Sequence, residues 1–142
     1  MVNLMFFLTP KSKTFYIDQD STIRQVLEKM DYHKFTIIPV IDEEGHYITT
    51  LSEGDLLRFI KNHCDFDLHM AEEVKIGDIE KYRPYRALDI NGAINGVMDL
   101  SKEQNFIPMV DDRGMYIGIV KRKDIIDYLY KRVSSELFEK QQ

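Results

Sequence analysis

The chain repeats itself. Residues 36–60 align without gaps onto residues 105–129. A repeat constrains a fold more than any local propensity does, because both copies must build the same unit. The identical pairs are Ile38/Ile107, Pro39/Pro108, Asp42/Asp111, Gly45/Gly114, Tyr47/Tyr116, Ile48/Ile117 and Asp55/Asp124, seven of 25 positions. Average composition would give about one or two by chance. Most remaining apolar positions also pair with apolar ones, as in Leu51/Val120 and Leu56/Ile125. Upstream, Ile23, Val26 and Leu27 match Ile94, Val97 and Met98, after a two-residue deletion.

Each copy reads as alternating strand and helix. Thr14 to Ile17 fits a short strand. Thr22 and Gln25 have capping-box spacing, and Ile23, Val26, Leu27 and Met30 follow on one helical face. Phe35 to Ile41 is a β-branched, apolar run of the kind buried on both faces, and Pro39 within it predicts an edge position or a break in the ladder. Asp42 to Gly45 is a turn, and Tyr47 to Leu51 the next strand. Ser52 then opens a helix with Leu56, Leu57 and Ile60 as its apolar residues. Residues 62–85 form a connector, with a short helix over 68–74 broken by Gly77. The second copy of the first helix carries Gly96, which weakens it. The last helix pattern runs on through Val133 and Leu137, an extension for solvent or for a second subunit.

The stretch Gly118 to Asp124 carries the chemistry. A strand ends there and a helix begins, so a positive dipole end with N–H groups lacking partners is exposed. The sequence adds Lys121, Arg122 and Lys123 where Ser, Thr, Asp or Asn would ordinarily cap. Cations at such a junction suit a bound phosphate, and the plainer reading is three solvated side chains. Lys121 and Arg122 are the phosphate candidates, Arg as a fork and Lys as a point charge. Asp124 and Asp55 can each accept two hydrogen bonds from a vicinal diol. Ser52 and Asp55 also read as an S-x-x-D capping box, a role that Lys121 cannot fill for Asp124.

Composition excludes several classes. The net charge of −5 argues against a nucleic-acid polymer as partner, so the local basic cluster suits a small anion. The single cysteine, Cys64, allows no internal disulfide and points to a reducing compartment, the cytoplasm. Leu4 to Leu8 is too short to span a membrane or serve as a signal peptide and reads as a buried arm. His63, Cys64 and His69 fit no standard zinc spacing. No P-loop or nucleophile–base constellation is present, so neither a metal nor catalysis is expected.

With these motifs the chain resembles a tandem pair of CBS domains over residues 8–131. The carrying segments are Ile38 to Asp42 through Gly45, then Ser52 to Asp55; and Ile107 to Asp112 through Gly114, then Gly118 to Asp124. The resemblance implies a mixed α/β (α+β) fold: two βαββα units packed with pseudo-twofold symmetry, divided here as residues 1–75 and 76–142. It implies two clefts between the units that hold an adenine nucleotide (AMP, ADP, ATP or cyclic di-AMP) or an S-adenosyl compound, and pairing of two chains into a disc. It implies ribose contacts for Asp55 and Asp124, with Ser52 near ribose or phosphate. Lys121 departs from the hydroxylated residue usual in the family, and Thr49 stands where the glycine equivalent to Gly118 is usual. For the base, the candidates are Thr14 and Phe15 with their counterparts Tyr85 and Arg86, and Ile38 and Ile107 beside Pro39 and Pro108.

The expected function is a regulatory adenine-nucleotide sensor, not an enzyme, that requires no cofactor. It would act as a homodimer or through a protein partner, with no membrane contact. The alternative is a ligand-free dimerisation or partner-docking module with degenerate clefts.

Overall fold

The computed structural model describes residues 2–63 and 65–141, with side chains to residue 138; Cys64 lies outside the described residues. The elements run β1 (Leu8–Pro10), β2 (Ile17–Asp18), α1 (Ile23–His33), β3 (Ile37–Ile41), β4 (Tyr47–Ser52), α2 (Glu53–Asn62), α3 (Leu68–Glu73), β5 (Leu88–Asp89), α4 (Ile94–Ser101), β6 (Phe106–Val110), β7 (Tyr116–Lys121) and α5 (Arg122–Gln141). Three short 3₁₀ turns, Leu4–Phe7, Lys11–Lys13 and Ile76–Asp78, complete it.

The repeat is a repeat of register. In the first unit β2 pairs parallel with β3, and β3 pairs antiparallel with β4, from Ile37↔Ser52 to Ile41↔Tyr47 with an irregularity at Val40/Ile41. In the second, β5 pairs parallel with β6, and β6 with β7, from Phe106↔Lys121 to Val110↔Tyr116 with the irregularity at Met109/Val110. Both irregularities fall at equivalent residues. Each unit closes its own core. Ile23, Val26, Ile38, Val40 and Leu51 anchor the first, and Val97, Ile107, Met109, Val120 and Ile125 the second.

Local expectations meet the structure with instructive differences. Thr22 and Gln25 form the capping box reciprocally, and α1 ends on Lys34 in the left-handed region at φ +60°. The first strand is shorter than Thr14 to Ile17, because Thr14 closes the 3₁₀ turn at Lys11–Lys13. Pro39 lies on the central strand of its sheet, not at an edge. It is tolerated because β2 pairs only with Val40 and Ile41, so no parallel partner faces the proline nitrogen. Leu57 is 66% exposed and lies outside the core.

The N-terminal arm crosses over. Residues Leu8, Thr9 and Pro10 pair antiparallel with Val120, Ile119 and Gly118, so the second unit's sheet has four strands in the order β1-β7-β6-β5 and the first has three. Leu4 and Phe7 are buried in the second core. Gly118 makes this possible. Its φ is +148°, and a Cβ there would lie 2.1 Å from the carbonyl oxygen of Thr9. Its counterpart is Thr49, and among the described residues no arm strand pairs with β4. Conversely, Ile76 and Ile79, just beyond the sequence-based division, pack into the first core.

Candidate functional site

The two sheets leave an apolar slot between the units. It has a volume of about 200 Å³ and is lined by Phe15, Phe35, Ile37 and Pro39 from the first unit, by Phe106, Ile119 and Lys121 with Thr9 of β1 from the second unit's sheet, and by Lys13 and Thr14 of the segment between β1 and β2. Strand alternation places these groups. Ile38 and Val40 face the first core, so Ile37 and Pro39 face away from it into the slot. The Phe15 ring packs 4.1 Å from that of His33 and 4.8 Å from that of Phe35. Lys13 and Lys121 are exposed side chains that supply positive charge to the lining.

A partner on the opposite unit holds the segment leading into the slot. The Tyr116 hydroxyl donates to Thr14 Oγ1 at 2.9 Å, and Thr14 Oγ1 in turn donates to the carbonyl of Lys11 at 2.8 Å. Burial pushes the Tyr116 phenol up to about 12, so it stays a donor at neutral pH.

The equivalent place near β4 is taken by the chain's own groups. Tyr85 donates its N–H to Thr50 Oγ1 at 2.6 Å, accepts the Tyr47 hydroxyl on its carbonyl at 2.6 Å, and lays its ring against Phe106 at 4.9 Å. Where the first unit has Phe35, the second has Gln104, which is buried. Its amide accepts from Arg86 N–H at 2.8 Å and donates to the Arg86 carbonyl at 3.1 Å.

The sequence-derived candidates therefore separate. Thr14, Phe15, Pro39 and Lys121 meet in the slot. Ile38 and Ile107 are core residues, 1% and 0% exposed, Pro108 is buried in β6, and Gly118 accommodates β1. Ser52 and Asp55 form a capping box: Asp55 Oδ2 accepts from Ser52 N–H, and Ser52 Oγ accepts from Asp55 N–H. Asp55 Oδ1 accepts from Tyr82 N–H at 2.9 Å. Arg122 braces the start of β6, donating its N–H to the Asn105 carbonyl and Nε–H to the Gln104 carbonyl. Asp124 lines a separate cavity with Phe6, Phe7, Asp127, Tyr128 and Lys131, to which Thr9 also contributes. Sequence reasoning missed Thr9, Lys13, Phe35, Ile37, Phe106 and Ile119. Alternation about Ile38 was the signal that could have found Ile37.

Two βαββα units with a slot between them define a tandem, repeat-built module as the class. The family model for the CBS domain matches residues 8–62 and 96–131, well over half of the chain, and the chain belongs to that family. It is 25% identical over 124 residues to a CBS domain-containing protein of Dictyostelium discoideum, covering 82% of this chain and 85% of that one. Among solved structures, CbpB in complex with c-di-AMP aligns with a TM-score of 0.85 and 19% identity, over 97% of this chain and 91% of that chain. CBSX2 in complex with AMP aligns with a TM-score of 0.70 and 21% identity, over 92% and 98%. Among the described residues no helix is long and apolar enough to cross a membrane.

Proposed function

We propose that this chain is a regulatory module that binds an adenine nucleotide in the slot between its two units. The observation that carries the reading is the lining itself: an apolar wall from both units, Phe15, Phe35, Ile37 and Pro39 on one side and Phe106 and Ile119 on the other, with Lys13 and Lys121 beside it. Such a wall receives a purine face, and the lysines meet phosphate oxygens as point charges. At about 200 Å³ the slot takes the base and leaves the phosphates toward solvent. That proteins of this fold were solved with c-di-AMP and with AMP supports the adenine class. Occupancy bridges the units, so it regulates by favouring one relative pose of the two. No reaction is assigned to the chain, and cytoplasmic location and a protein partner that reads the pose belong to the same proposal.

Thermal melting against AMP, ADP, ATP, c-di-AMP and guanine counterparts tests it. A ligand at 100 times its Kd adds about 2.7 kcal/mol, a shift of several degrees for a chain of this size. A shift with adenine compounds that is lost in Phe15→Ala is the expected result. No shift with any of them favours the second reading, a homodimerisation module. That reading rests on α5, where Ile126, Tyr130, Val133 and Leu137 are exposed at i, i+4, i+7 and i+11 on one face. Sedimentation of the pure chain measures whether two copies pair.

A further inference from the structure

We propose that the slot selects phosphorylated adenosines over S-adenosyl compounds and the bare nucleoside, with Lys13 and Lys121 as the specificity-determining residues. The inference rests on the reading of the slot as an adenine-nucleotide site and names which adenosyl class that site takes.

The two classes share a base and a ribose, so an apolar wall cannot tell them apart. They differ at the 5′ carbon. A nucleotide carries an anionic phosphate there, and S-adenosylmethionine carries a sulfonium cation. Sorting them falls to the charged groups of the lining. Those are Lys13, in the turn between β1 and β2, and Lys121, the last residue of β7. Both are exposed, and neither is in an ion pair among the described residues. An anion in the slot meets both ammonium groups in charge-assisted contacts, and a cation is opposed by both. Attraction for one class and repulsion of the other then act together.

The repeat supplies an internal comparison. The counterpart of Lys121 is Ser52, and the offset that matches Ile23 with Ile94 matches Lys13 with Pro84. Ser52 caps α2, and Pro84 carries no charge. The repeated unit therefore does not require the two lysines. They stand at the cleft that is open and are missing from the one that Tyr85 and Gln104 fill.

The carboxylates next to the slot do not reverse its charge. Asp124 lines the adjoining cavity, which meets the slot at Thr9. Asp127 in that cavity is paired with Lys131 at 3.0 Å. One carboxylate beside two ammonium groups leaves an excess of positive charge. An acceptor there also serves the ribose hydroxyls that both classes carry, so it does not sort them.

The test is calorimetric titration of the full chain with AMP, adenosine and S-adenosylmethionine, in wild type and in Lys13→Ala/Lys121→Ala. Each titration is run at about 0.01 M and about 0.15 M ionic strength. The expected result is that wild type binds AMP about tenfold or more tighter than either of the others, and that salt weakens AMP alone of AMP and adenosine. The double variant loses about tenfold for AMP and keeps adenosine within about threefold of wild type, as removal of charge-assisted contacts requires. S-adenosylmethionine within about threefold of AMP in wild type, or AMP affinity unchanged in the double variant, would overturn the inference and leave the slot as an adenosyl site. No binding of any of the three ligands overturns the nucleotide reading itself. The wild-type comparison needs no variant to fold.

Discussion

Tyr47 and Tyr116 exchange equivalent hydrogen bonds across the pseudo-twofold axis. The N–H of Tyr47 donates to the Gly114 carbonyl and that of Tyr116 to the Gly45 carbonyl, each at 3.0 Å. Their rings lie 6.5 Å apart, and each hydroxyl reaches the segment that leads into a unit, Tyr85 for Tyr47 and Thr14 for Tyr116. One residue type at one repeat position thus joins the two sheets and fixes both approaches to the interunit space. Only the Tyr116 side opens onto the slot.

That asymmetry separates two otherwise matching substitutions. Tyr116→Phe and Tyr47→Phe each remove one hydroxyl from a mostly buried ring, at a cost of about 1 kcal/mol. Tyr116→Phe also releases Thr14, and with it Phe15, so nucleotide affinity falls. Tyr47→Phe releases Tyr85, which reaches the slot only through Phe106, and affinity falls less. Urea melts and titration of both variants check this; equal loss of affinity in the two would contradict the assignment of a single working slot.

Gly118 predicts the fate of the arm. Any side chain there meets the Thr9 carbonyl, and φ +148° strains an L-residue besides. Gly118→Ala should detach β1 and uncover Leu4 and Phe7, costing about 3 kcal/mol. Hydrogen exchange would show faster exchange in residues 4–10 and in β7, while the first unit is unchanged. Thr49→Gly at the equivalent position of β4 should leave the arm in place.

The repeat made most of the fold legible, because matched residues such as Ile38/Ile107 and Gly45/Gly114 recur at matched register positions. It misdirected even at identical pairs, where matching residues do not settle which way a side chain faces or what surrounds it. Ile38 and Ile107 looked like slot residues because they flank prolines, yet alternation turns them to the cores and leaves Ile37 and Phe106 facing the space between units. Asp124 looked equivalent to Asp55, and their surroundings differ: Asp55 accepts from the Tyr82 N–H, while Asp124 lines a cavity that meets the slot at Thr9. The crossing of the arm depends on contact between residues more than 100 positions apart, which no local pattern encodes. The departure from Thr49 to Gly118 was its one trace in the sequence.

The turns predict an acid limb in stability. Asp111 is held below the usual carboxylate range chiefly by the Met115 N–H, which with the Arg113 N–H and guanidinium outweighs partial burial. Partial burial pushes Asp42 up, and the His46 N–H and ring with the Glu44 N–H more than reverse it. Both folded-state values lie below the unfolded ones, so the unfolded chain binds more protons as pH falls. Their stabilisation is present above about pH 4 and is lost as pH drops through the folded values. Urea melts between about pH 2 and about pH 7 should show this slope, and Asp42→Asn/Asp111→Asn should flatten it.

Structural and ligand roles are separable at Ser52 and Asp55. The two side chains satisfy N–H groups at the start of α2, and Asp55 Oδ1 also holds the Tyr82 N–H, which ties the connector to the first unit. Ser52→Ala removes one cap and should cost about 1 kcal/mol. Asp55→Ala removes the other cap, leaves the Tyr82 N–H without its acceptor and should cost about 3 kcal/mol. Neither group lines the slot, so nucleotide affinity per folded molecule should stay at the wild-type value in both variants. Titration at a temperature where each remains folded is the check. A loss of affinity in Ser52→Ala, whose stability cost is small, would show that this junction touches the ligand after all.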